Sequence, residues 1–159
     1  MSPKHRLSHA QGYLGLGMMA EAAAELAHLS DSEADTTEAI GVRLALLHEQ
    51  EKWPEVRDLA RELVQRDAAD AGVWISLAYA TRRVDSLAAA EIILIKAEKG
   101  FPEEPTIQFN LGCYACQRGD LKEARRRVAR AIELDKKFAA LAATDPDLAP
   151  LRANPPSAG

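Results

Sequence analysis

The stretch PTIQFNLGCYACQRGDLKEARRRVARAIELDKKF, residues 105–138, decides the fold, because two amphipathic helical patterns meet in it at Gly119-Asp120. Leu111, Gly112 and Ala115 fall on one face of the first half. Leu121, Ala124, Val128 and Ala131 do the same in the second, at the three-to-four-residue spacing of a helix packed on one side. Gly119 suits the turn, and Asp120 followed three residues later by Glu123 predicts a capping box at the start of the second helix. The stretch therefore reads as one helix-turn-helix hairpin.

The composition carries this reading outward. A chain of 159 residues with 47% hydrophobic and 28% charged side chains has the size and balance of one folded domain. Aromatics make up 5%, alanine is abundant, and Ile92 to Ile95 form the only notable β-branched run, so an all-α fold is expected. The net charge of -4 argues against nucleic acid, whose phosphates require clustered cations. Residues 1–70 carry 7 basic and 13 acidic side chains, against 13 and 11 in residues 71–159, which predicts an acidic front and a mildly basic rear. The N-terminus MSPKHRLSHAQ lacks the apolar core of a secretory signal, and no run is long enough to span a membrane. Two cysteines on one helix make no disulfide framework, so a cytoplasmic location is expected.

The small and apolar residues of the 105–138 hairpin resemble those of the tetratricopeptide repeat family. The resemblance implies a right-handed α-solenoid of helix-turn-helix repeats with a period of 34 residues. Stepping by 34 from Gly119 gives Asp85, Glu51 and Gly17 at the turn, and from Ala124 gives Ala90, Val56 and Ala22 at the close-packing position. Four units follow without insertion, 3–36, 37–70, 71–104 and 105–138. Unit three adds Trp74 and Pro102 at the family's aromatic and helix-ending positions, while unit two departs furthest, with Arg43 and Leu44 on its first helix. Looser packing is expected between units one and two, with the polar link 29–37 as a flexible joint. Residues 139–152 are expected to form a C-terminal capping helix over the last repeat, with Leu141, Leu148 and Leu151 apolar and Asp145-Pro146 starting its second part. One domain thus covers residues 1–152, and residues 153–159 form a disordered tail.

The resemblance further implies that the first helices line a concave groove for a partner peptide or helix. In the repeat frame the groove side chains are Leu7 and Gln11; Val42 and Glu49; Ile75, Tyr79 and Arg82; and Phe109, Asn110 and Cys113. Tyr79 and Phe109 have the residue types that dominate binding energy at interfaces. Some members of the family clamp a carboxylate with inward cations, but the matching positions of units one to three read Leu7, Gln11, Val42, Gly72 and Ser76. That ligand is excluded.

Cys113-Tyr114-Ala115-Cys116 is a CxxC, yet it sits late in a helix rather than at a helix N-terminus, and no second pair completes a zinc site. His5 and His9 have i, i+4 spacing without an intervening glutamate, and His9 falls on a packing position. Neither a metal nor a cofactor is expected. Nucleophile triads, phosphate loops and paired carboxylates are not seen, which argues against an enzyme. Lys122, Arg126 and Arg130, with Arg125 and Arg127, form a basic cluster that is either a solvated face or a docking patch for an acidic partner, such as another copy of the chain. The reading is an adaptor or scaffold that binds protein, with a small chaperone of a secreted or assembling client, or a self-associating repeat, as alternatives.

Overall fold

The computed structural model describes residues 1–67 and 69–157, and it divides into two compact units, 1–86 and 87–159. The first contains α1 (Pro3–Gly15), α2 (Met19–Ala27), α3 (Asp31–Ala34), α4 (Thr37–Glu49), α5 (Trp53–Gln65) and α6 (Ala71–Val84). The second contains α7 (Leu87–Gly100), α8 (Pro105–Gln117), α9 (Leu121–Leu134), α10 (Phe138–Thr144), a 3-10 turn (Pro146–Leu148) and α11 (Ala149–Ala153). The described residues form helices and turns with no strand.

Several helices begin where a side chain accepts an orphan backbone N–H. Ser2 accepts from His5, Thr36 from Ala39, Asp70 from Val73 and Asp120 from Glu123, at 2.9 to 3.3 Å. Hairpin turns require a left-handed residue, and the 34-residue step finds it: Gly17 has φ +72°, Gly119 +87°, and Glu51, a non-glycine, +55°. Glu51 accepts a steric cost there that glycine would not. Asp85, at the same step, stays at φ −111° and caps the C-terminus of α6, where Arg57 pairs with its carboxylate at 3.0 Å.

In the first unit Leu7 and Ala10 of α1, Ala22 of α2, and Ala39, Val42 and Leu46 of α4 form one buried cluster, with Tyr13, Leu14, Leu26 and Leu29 packed on it. This corrects the expectation of loose packing between units one and two. The polar link 29–37 is likewise held: Ser30 and Glu33 close a capping box on α3, and Arg66 reaches the Asp35 carboxylate at 2.6 Å and its carbonyl at 2.8 Å. Arg43 donates to the Ala34 carbonyl at 3.0 Å, so it serves this link from an exposed position. His9 points into solvent, because Ala10 already fills the packing position beside it.

In the second unit α8 meets α9 at Gly112. A Cβ placed there would lie 2.9 Å from Val128 Cγ2 and 3.3 Å from the Val128 backbone nitrogen, so only glycine permits this approach. The expected capping box is half formed: Asp120 caps α9, but the Glu123 carboxylate is drawn to Arg126 and Arg127. The cap covers α8 with Phe138, whose ring lies 5.2 Å from that of Phe109, and with Leu148, 1% exposed. Leu141 is 46% exposed, so it is only partly used by the cap. Asp145 accepts from the Asp147 N–H and starts the 3-10 turn. Of the expected tail, Ala153 ends α11, residues 154–157 lie outside any helix, and Ala158 and Gly159 fall outside the described residues. No helix among the described residues is long and apolar enough to cross a membrane.

Candidate functional site

Helices α4 and α6 run side by side in the first unit and leave an open cavity of about 330 Å³ between them. Gly41, Ala45 and Leu44 line it from α4, and Gly72, Val73 and Ser76 from α6. A Cβ on Gly41 would meet nothing within 4 Å, so this mid-helix glycine fills no packing need inside the chain. Such a glycine costs about 1 kcal/mol of helix stability relative to alanine. Asp70 stands at one end of the cavity and His48 with Glu49 at the other.

At the His48 end three rings converge. The His48 and Trp53 centroids are 5.1 Å apart, Trp53 and Tyr79 5.1 Å, and His48 and Tyr79 5.8 Å. Arg83 lays its guanidinium over the Tyr79 ring at 3.5 Å and over Trp53 at 5.0 Å, and donates to the Tyr79 hydroxyl at 2.5 Å. Offset and edge contacts of this kind, with a cation on a ring face, stabilise by about 1 kcal/mol each. The cluster is thus rigid while Tyr79 remains 36% exposed. A rigid, half-exposed aromatic loses little entropy on binding, which suits it to anchor a ligand.

The expected groove residues separate sharply. Glu49 lines the cavity, Tyr79 belongs to the ring cluster at its end, and Gln11 is exposed. Ile75, Arg82 and Asn110 are half-buried. Leu7 and Val42, each 3% exposed, are core residues, and so are Phe109 at 5% and Cys113 at 3%. For Val42 the reason is angular: its neighbour Gly41 faces the cavity, and one residue of α-helix turns the next side chain by 100° into the core. Leu7 and Phe109 are large apolar groups that gain about 2 kcal/mol each by burial, against α4 and α10 respectively. The stacking of Trp53 with His48, Tyr79 and Arg83 is not read from the sequence. The sequence signal for the open face of α4 is a glycine in the middle of a helix whose apolar residues are not sorted onto one side.

On α8 nine of the thirteen residues are buried, Cys113 and Cys116 among them as free thiols. Gln117 donates to the Asp147 carbonyl at 2.8 Å and helps fasten the cap. Among the described residues the group of three metal-ligating side chains is Cys113, Asp145 and Asp147, with ligand atoms within 4.8 Å of one another. Asp145 commits one oxygen of that group to its turn.

The basic cluster on α9 also divides. Arg127 is 8% exposed and reaches Glu98, Gln108 at 2.9 Å and Glu123 at 2.8 Å, so it is an interior ion-pair residue. Arg126 grips Glu123 through two bonds of 2.7 and 2.9 Å while its own side chain stays 61% exposed. Arg130 pairs with Glu133 at 3.2 Å, and Lys122 is exposed. Hydrogen bonds from Arg126, opposed by partial burial and reinforced by Arg127, hold the Glu123 carboxyl at about 2. Burial opposes ionisation of Glu98, but Arg127 and Gln108 outweigh it and keep that carboxyl below its ordinary range. Of the expected docking patch, Arg126 and Arg130 thus pair with Glu123 and Glu133 of their own helix, while Lys122 is exposed.

Solved structures similar to this one are repeat proteins of low sequence identity. A MamA point mutant superposes with a TM-score of 0.67 at 16% identity, covering 95% of this chain and 85% of its own. YrrB, a TPR protein with an unusual peptide-binding site, gives 0.66 at 14% identity over 92% of this chain and 80% of its own. MamA MSR-1 gives 0.65 at 14% identity, with 95% of each chain covered. No family profile matches the sequence, and no curated protein matches it. The fold is that of tetratricopeptide repeat proteins.

Proposed function

We propose that the chain is a non-catalytic protein-binding module, and that its first unit holds an extended segment of a partner between α4 and α6. The observation that carries this is the open 330 Å³ cavity ending at the rigid Tyr79–Trp53–Arg83 stack. The small side chains of Gly41, Ala45, Gly72 and Ser76 admit a peptide backbone closely, and Tyr79, 36% exposed, offers the uncovered part of its side chain to a partner. Glu49 and Asp70 give the ends of the cavity hydrogen-bond acceptors for peptide N–H groups. YrrB, of the same fold, has a peptide-binding site, which supports this use of the fold.

The test is a peptide-display selection on the purified chain, counter-screened with Ala45→Trp, which fills the cavity from an exposed position. Selected peptides are expected to lose about 30-fold in affinity with Tyr79→Ala and to lose binding altogether with Ala45→Trp. Circular dichroism and melting should stay close to wild type in Ala45→Trp. Peptides that bind both variants as well as wild type would place the binding surface elsewhere.

A further inference from the structure

Helix α7 carries an apolar strip on a face that the other hairpins keep small or charged. At the same step of the repeat, positions 24, 58, 92 and 126 read Ala24, Asp58, Ile92 and Arg126, and positions 27, 61, 95 and 129 read Ala27, Arg61, Ile95 and Ala129. All eight are solvent-exposed, so the step marks one outward face throughout. Only α7 places large hydrocarbons there: Ile92 is 71% exposed and Ile95 40%. Beside them Leu87, Ala88, Glu91 and Arg118 complete a cavity of about 390 Å³. Two isoleucines in water gain nothing within the chain, whereas covering them recovers about 25 cal/mol for each Å² of apolar surface removed.

We infer that this strip is the contact between two copies of the chain, with the α7 helices parallel about a two-fold axis. The identity of the occupant follows from the charges that flank the strip. Ile92 and Ile95 stand at the a and d positions of a seam, with Ala88 one step before and Lys99 one step after. Glu91 and Lys96 then flank the seam on opposite sides, five residues apart. In a parallel pair this is the spacing at which a glutamate of one helix meets a lysine of the other, and the two-fold axis makes the contact twice. An antiparallel pair would instead set the flank of Glu91 and Glu98 against itself and leave Lys96 facing no carboxylate of that flank. Within the chain Arg118 Nε donates to both Glu91 carboxylate oxygens, at 3.2 and 3.1 Å, and the lysine of the other copy shares that carboxylate with it. The pair with Arg118 fixes the Glu91 side chain at the edge of the seam. Lys99 facing Lys99 ends the strip after two turns, so the dimer is weak and concentration-dependent.

The test is sedimentation equilibrium of the full chain from micromolar to millimolar concentration. A monomer–dimer equilibrium is expected, at least about tenfold weaker in Ile92→Asp, with helicity unchanged because the position is exposed. Glu91→Lys should weaken it, and Glu91→Lys with Lys96→Glu should restore it. Orientation is read by oxidative cross-linking: Ile92→Cys should link to itself, the native cysteines being buried. A wild-type mass that stays monomeric throughout, or a dimer untouched by Ile92→Asp, overturns the inference. So does an Ile92→Cys chain that links to Ile95→Cys and not to itself, which is the antiparallel result.

Discussion

Helices α4 and α8 occupy the same step of the repeat and end in opposite states. Gly41 and Ala45 of α4 correspond to Phe109 and Cys113 of α8. The first pair lines an open cavity, while the second is 5% and 3% exposed beneath the cap. The difference lies in what each face is offered. A face of glycine and alanine presents little hydrocarbon to cover, so it stays open. Phe109 presents a large ring that finds Phe138, and the 3-10 turn seals the rest through Leu148. The face available for a ligand is thus the one with the poorer core, and the most regular repeat in the sequence is the one whose inner face is spent on stability.

The contrast can be broken most forcefully at Arg127. Arg127→Ala takes from the Glu98 carboxylate and the buried Gln108 side-chain oxygen the cationic donor they share, leaving Glu98 with the Gln108 amide N–H alone, and is expected to destabilise the second unit by about 3 kcal/mol in chemical denaturation. Gly112→Ala comes next, at about 2 kcal/mol, since the new methyl group meets Val128 and the backbone of α9. Acid should act in the same place. A carboxyl whose folded value is depressed stabilises the fold above its unfolded value, near 4.3, and that stability is lost as pH falls toward the folded value. With Glu123 at about 2 and Glu98 also lowered, amides of α8 and α9 should lose hydrogen-exchange protection progressively between about pH 4 and pH 2. Persistence of full protection at pH 2 would mean these pairs contribute little.

The smallest effects run in the stabilising direction and fall in the first unit. Gly41→Ala should raise stability by about 0.5 to 1 kcal/mol, because its methyl group meets nothing and the helix interior prefers alanine. Glu51→Gly should gain about 1 kcal/mol by relieving a left-handed backbone at φ +55°. A loss of stability in Gly41→Ala would show that α4 is packed where the structure leaves it open, and would weaken the case for a binding cavity with it.

Much of the local architecture is legible in the chain. The 34-residue step finds the left-handed turns at Gly17, Glu51 and Gly119, and the alanines at 22, 90 and 124 that are fully buried. Asp120 is legible as a cap because an N-cap needs only its own helix. Its partner Glu123 is not, since two arginines a turn away compete for the same carboxylate and charge-assisted bonds win over a single backbone N–H. Arg127 looked like one cation of five, and only the approach of Glu98 and Gln108 from other helices makes it an interior residue.

The sequence by itself determined the elements: where helices start, where they turn, and which small residues let two of them meet. These depend on spacing and backbone preference, which are local properties. Which inner face stays open was decided by tertiary structure alone, because exposure is a property of what arrives from elsewhere in the chain. Phe109 is buried since Phe138 comes to meet it, and Tyr79 stays 36% exposed because Arg83 over its ring, with Trp53 and His48 against it, covers it only in part.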